Sequence, residues 1–195
     1  MTSTEDGVGS PPAARASNTL ESEQPLFQAL FEYWKEVRGS AIIPQASEVD
    51  PASIPQLFKH IAIFDLNGPE EIIYRLAGTG IEERTGIDPT GMNLFDLVPA
   101  HRRTFTSETM WRIATHPVGM LLEYENILRN GKRAEMRSLY LPLRVGTSEK
   151  MRIISIHVIE KTVGFEEERT NPEFAAVINQ LTWIDIGAGT PLDKI

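Results

Sequence analysis

Residues 118–162 read VGMLLEYENILRNGKRAEMRSLYLPLRVGTSEKMRIISIHVIEKT, and this stretch decides the fold. Before Asn130-Gly131, the residues Met120, Leu122 and Tyr124 alternate with Leu121, Glu123 and Glu125, the period of two that a half-buried strand imposes. An Asn-Gly pair between two apolar runs marks a hairpin, because a type I′ turn needs positive φ at both central residues. A second run extends from Met136 to Val145, and Gly146-Thr147-Ser148 supplies the next turn. The third run, Met151 to Ile159, is dense in Ile and Val, whose branched side chains suit a pleated, packed surface. A contiguous three-strand antiparallel meander is expected, containing Leu122, Leu141 and Ile156.

Working upstream, Ile61–Leu66 and Ile72–Ala77 predict two further strands joined through Asn67-Gly68-Pro69. Strict alternation places Ile72, Tyr74 and Leu76 on one face of the second. Between Gly78 and Pro117 the pattern changes to short helices. A turn of helix over Thr79–Arg84 ends near Gly86, another over Asn93–Val98 stops at Pro99, and a longer one spans Thr104–Thr115. His116-Pro117 closes that last helix, since the residue before proline avoids the helical region. Asp50-Pro51 matches an N-cap followed by proline at the first helical position, so a short helix carrying Ile54, Leu57 and Phe58 is expected there.

Residues 25–38 predict the N-terminal helix. Pro25 suits its first turn and Gly39 its end, with Leu26, Leu30, Trp34 and Val37 on one stripe that Phe27 and Phe31 widen. A period reports burial and not against what. The face formed by Phe27, Leu30, Phe31 and Trp34 therefore reads either as core of its own domain or as a homodimer contact, and the latter is the expectation adopted. The chain divides into a polar N-terminal tail, residues 1–22, expected to be disordered; one domain, residues 23–162; and a C-terminal tail, residues 163–195. That tail starts acidic at Glu166-Glu167-Glu168, and a short helix over residues 172–183 is expected from Phe174, Val177, Ile178 and Leu181 on one side.

Composition bounds function. The 195 residues are 41% hydrophobic and 24% charged, as in an ordinary globular protein able to bury a core. A net charge of −8 disfavours nucleic acid, which demands a basic patch for counterion release, and disfavours anionic lipid. No run is long enough for a membrane span, and the polar first residues carry no apolar secretory core. The absence of cysteine removes disulfides, iron–sulfur clusters and thiolate zinc sites. A cytoplasmic protein is expected.

Two strands, several short helices and a three-strand meander, in that order, resemble a PAS domain, and more narrowly the bacterial PAS-like domains long described only as being of unknown function. The residues carrying the likeness are Thr85-Gly86 after a short helix, Gly91, the aromatic-acidic turn Phe95-Asp96 before Pro99, Asn130-Gly131 where the family often has Asp-Gly, and Leu141-Pro142-Leu143. Glu160-Lys161-Thr162 keeps only the Thr of the usual Asp-Ile-Thr ending. The resemblance spans about residues 27–162. It implies an α+β fold with a five-stranded antiparallel sheet in the order 2-1-5-4-3, short helices cupped over one face, and a sensory or interaction role. It also implies pairing through a helix ahead of the first strand.

Tyr74, Leu76, Phe95, Phe105, Trp111, Leu122, Tyr124, Leu139 and Ile156 are the expected walls of a small-molecule pocket, although such residues equally make plain core. The two tyrosines stand out because a buried phenol needs a hydrogen-bond partner. His101 and His116 flank the long helix, the region from which haem-binding relatives draw an axial ligand, but an isolated surface histidine is the commoner reading. His157 and Glu160, three apart on a strand, point to opposite faces, so neither His101 nor His157 is expected to have a working partner. Gly78-Thr79-Gly80 lacks the third glycine of a dinucleotide fingerprint, and Glu166 to Glu168 read as solvated charge. The sequence names no cofactor and no metal. The reading is a non-enzymatic sensory module that binds a small molecule or a signalling partner, with a ligand-free interaction module as the alternative and a small enzyme as the third.

Overall fold

The structure, a computed structural model, describes residues 12–128, 131–165 and 173–191. Its elements in chain order are β1 (Arg15–Ser17), α1 (Pro25–Arg38), α2 (Pro55–Phe58), β2 (Ile61–Gly68), β3 (Glu71–Ala77), α3 (Thr79–Thr85), α4 (Arg103–Thr115), β4 (Val118–Ile127), β5 (Lys132–Arg144), β6 (Met151–Phe165) and β7 (Glu173–Asp185), with three short 3₁₀ turns at Pro51–Ser53, Leu94–Asp96 and Ala100–Arg102. One seven-stranded sheet runs β1-β7-β4-β5-β6-β2-β3. The five strands read from sequence keep their expected order, β3-β2-β6-β5-β4, and every pairing among them is antiparallel. Gly131 takes φ +76° at the β4–β5 turn; its neighbour Asn130, half of the expected Asn-Gly pair, lies outside the described residues.

Two strands correct the expectation. Residues 173–185 form β7, antiparallel to β4, where a helix was expected over 172–183. The cause is a register shift between Glu123 and Tyr124. Leu122 faces Leu181, but Tyr124 faces Ile178, so one residue of β7 bulges out and the core-facing side chains fall three apart instead of two. With Phe174 also packed on the core, the apolar set 174, 178, 181 imitates helical spacing. In the N-terminal tail, residues 15–17 form β1 and pair in parallel with Thr182, Trp183 and Ile184, so this part of residues 1–22 is ordered strand. Residues 1–11 and the Glu166–Glu168 run lie outside the described residues.

The sheet separates two apolar layers. On the outer face, Phe27, Leu30 and Trp34 of α1 pack on Leu121, Leu139, Leu141, Leu143, Ile154 and Ile156. Phe27 and Leu30 are fully buried within this single chain and Trp34 is 1% exposed. The expected homodimer contact through Phe27, Leu30, Phe31 and Trp34 is thereby corrected: the helix covers its own sheet, and only Phe31 remains half-buried. Trp34 Nε1–H donates to the Pro142 carbonyl at 2.9 Å. Pro142 lies past the last β4–β5 pair, Met120 with Tyr140, so on the β4 side its carbonyl has no strand partner and α1 supplies one.

On the inner face, the roof of α3, the 3₁₀ turns at Leu94–Asp96 and Ala100–Arg102, and α4 encloses Phe64, Tyr74, Phe105, Met110, Leu122, Tyr124 and Met136. The roof is pinned at Gly78-Thr79-Gly80. Gly78 N–H donates to the Ile61 carbonyl at 2.7 Å and Gly80 N–H to the Lys59 carbonyl at 2.9 Å. A Cβ at Gly78 would stand 2.1 Å from the Phe58 carbonyl oxygen, so close backbone crossing requires that glycine.

Candidate functional site

A cavity of about 60 Å³ lies between the inner face and its roof. By the size of a water-sized probe it has room for roughly four to six waters, too little in this conformation for a haem or a flavin. Of the nine expected wall residues, the structure brings Tyr74, Phe105, Leu122 and Tyr124 together around it. Phe95 is buried in the same core and Trp111 packs at its margin, but neither lines the cavity.

Leu76, Leu139 and Ile156 belong to the opposite face and are corrected. β5 and β6 present Met136, Ser138 and Tyr140, and Ser155 and His157, to the inside, so Leu139 and Ile156, one residue off in each strand, pack under α1. Alternation with Tyr74 predicts Leu76 on the cavity side. A bulge between Ile63 and Phe64 pairs Ile63 with Leu76 but Phe64 with Tyr74, which turns Leu76 to the outer layer.

The floor carries a chain of buried polar groups that sequence reasoning missed. Ser155 settles its direction. Its hydroxyl donates to the Ala62 carbonyl at 3.3 Å, so its oxygen accepts from His157 Nε2 at 2.7 Å. With the proton on Nε2, Nδ1 of the neutral ring accepts from Ser138 Oγ at 2.8 Å, and Ser138 in turn accepts from the Tyr124 hydroxyl at 2.8 Å. The Tyr140 hydroxyl meets that of Tyr124, and its ring stands edge-on to His157 with centroids 5.5 Å apart. Ser138 and Ser155 are fully buried and His157 is 8% exposed. The expectation that His157 lacks a partner is corrected: its partners stand on β4, on β5 and two residues away on β6, out of reach of a search along one strand for an acid. A visible trace existed in Ser138, Ser155 and His157, polar residues at alternate positions in otherwise apolar strands.

Burial shifts these groups. Desolvation first, then the charges of Arg84 and His60, lower the His157 pKa to about 3. Burial pushes the phenols of Tyr74, Tyr124 and Tyr140 up. All four side chains are neutral at physiological pH.

Arg84, in the last turn of α3, is the cation on the cavity wall. Desolvation draws its pKa down, yet guanidinium stays charged. Phe174, Ala175 and Ile178 of β7 close another part of the cavity. Ala175 adopts φ +52°, and its N–H donates to Asn126 Oδ1 at 2.8 Å. His101 is exposed and His116 Nε2–H donates to the Gly189 carbonyl at 3.0 Å; neither lines the cavity. Among the described residues, no three His, Asp or Glu side chains gather as a metal site, and no helix is long and apolar enough to cross a membrane.

A mixed, mostly antiparallel sheet with short helices cupped over one face, and a cavity beneath them, defines a small α+β cup domain. The family model described as a PAS domain matches residues 22–158, and the chain belongs to that family. No curated protein matches the chain. β1 and the whole of β7, with the cavity wall it supplies, fall outside the matched residues.

Proposed function

We propose that this PAS domain is a cytoplasmic, non-catalytic sensory module whose inner-face cavity takes a small molecule. The observation carrying the reading is the cavity itself: an apolar chamber with a few converging polar groups, Arg84, Tyr74, Tyr124 and His157, between sheet and roof. Its occupancy would be felt by α3 and α4 above and by β7 at the side, which gives a binding event a structural outlet. Against catalysis stands the His157 pKa of about 3, since a general base works best with a pKa near the operating pH. The Ser138–His157 pair therefore serves as a fixed strut.

Native mass spectrometry of freshly purified protein, wild type beside Leu122→Trp, tests the reading. The expected result is an added small mass on the wild type that the bulky substitution removes. A bare wild type together with a more stable Leu122→Trp chain would favour the second reading, a ligand-free interaction module, which the small volume of the cavity recommends.

A further inference from the structure

We propose that the occupant of this cavity is a small anion, a monocarboxylate of about six non-hydrogen atoms, held through its carboxylate by Arg84. The inference rests on the small-molecule reading above and gives it a chemical class. Arg84 lines the cavity, and among the described residues no carboxylate, carbonyl or hydroxyl pairs with its guanidinium. Its neighbour Glu83 is taken by Lys59 at 2.9 Å. A cation at the end of a helix complements the dipole there, but that role does not account for Arg84's place on the cavity wall, and Thr85 already serves the α3 end, its hydroxyl donating to the Ile81 carbonyl at 2.7 Å. A partly desolvated charge without a partner costs free energy unless something supplies the opposite charge.

Tyr74 provides a second, independent observation. It is 3% exposed and lines the same cavity, yet its hydroxyl takes no part in the chain that satisfies Tyr124, Ser138, His157 and Ser155. A buried phenol ordinarily has an acceptor, and a carboxylate offers one beside the guanidinium. Met110, Met120, Leu122 and Met136 give the wall an apolar stretch, which suits a short hydrocarbon tail. The small volume excludes fatty acids.

The test uses full-length protein labelled with ¹³C at the methionine methyls, titrated with sodium butyrate and, separately, with the neutral isostere butyramide. Met110, Met120 and Met136 report the cavity, and Met92 and Met151 serve as references. Butyrate should shift the three cavity signals saturably, and butyramide should bind at least about tenfold more weakly, as should butyrate to Arg84→Gln. Equal binding of the two compounds by the wild type overturns the anion and leaves the cavity reading intact, without relying on any variant. Failure of butyrate to move any cavity methionine also overturns it. Xenon added to the same sample then decides the rest: shifted cavity methionines keep the small-molecule reading, and unmoved ones remove both.

Discussion

The two faces of this sheet are built from the same strands and solve opposite problems. Outside, Leu139, Leu141, Ile154 and Ile156 meet Phe27, Leu30 and Trp34 in an apolar layer that the Trp34–Pro142 hydrogen bond ties to α1. Inside, the alternate residues of the same strands, Tyr124, Ser138, Ser155 and His157, run a hydrogen-bonded chain beneath an incompletely filled chamber. A residue's parity, and not its hydrophobicity, decides whether it is scaffold or site. Leu122 and Leu121 differ by one position, and only the first reaches the cavity.

If the outer layer is scaffold, Trp34→Ala should show the largest effect. Removing a side chain 1% exposed and its hydrogen bond should cost about 3–5 kcal/mol in denaturant unfolding. A variant that stays equally stable and merely changes oligomeric state would break the comparison and restore the helix as a dimer contact. On the inner face, Ser138→Ala leaves His157 Nδ1 without its donor and Tyr124 without its acceptor. A loss of about 1–3 kcal/mol is expected from the same measurement.

The inner face should also reveal itself through pH, and the outer face should not. The His157 pKa is held down at about 3 in the folded state against about 6.5 in the unfolded chain. The unfolded state therefore takes up the proton first as pH falls. Stability is complete above pH ~6.5 and declines below it, by about 1.4 kcal/mol per pH unit, or about 2 kcal/mol down to pH ~5. His60, also lowered, chiefly by desolvation, adds in the same direction. Unfolding curves of His157→Gln should lose most of that slope whatever their level at neutral pH, and an unchanged slope would remove the buried neutral imidazole from the account. The smallest expected effect lies at the cavity's β7 wall. Ala175→Gly relieves the left-handed φ of +52° and should raise stability by about 0.5 kcal/mol, strain relief outweighing the added freedom of the unfolded chain.

How much of this could be read beforehand follows from the same contrast. The meander, the two upstream strands and the N-terminal helix were legible because alternation and 3.6-residue periodicity are local properties. The site was legible only in part. Tyr74, Phe105, Leu122 and Tyr124 are legible in the sequence, whereas a bulge moves Leu76 and strand parity moves Leu139 and Ile156 to the other face, both set by how the strands pair and not by alternation within one strand. β7 was hidden for the same reason, its bulge opposite β4 giving a strand the spacing of a helix. The helix period of Phe27, Leu30 and Trp34 was real, but what it covered was set by tertiary packing. The partners of His157 are invisible along one strand, because Tyr124 and Ser138 become its neighbours only when three strands are in register.

The most direct test of the contrast between a solid outer layer and an accessible inner chamber is xenon titration followed in the methyl spectrum of protein labelled at leucine and methionine. The account expects Met110, Met120, Met136 and Leu122 to shift with xenon pressure while Leu30, Leu57, Leu139 and Leu141 stay fixed. Shifts confined to the outer leucines, or an inner face that does not respond, would contradict it.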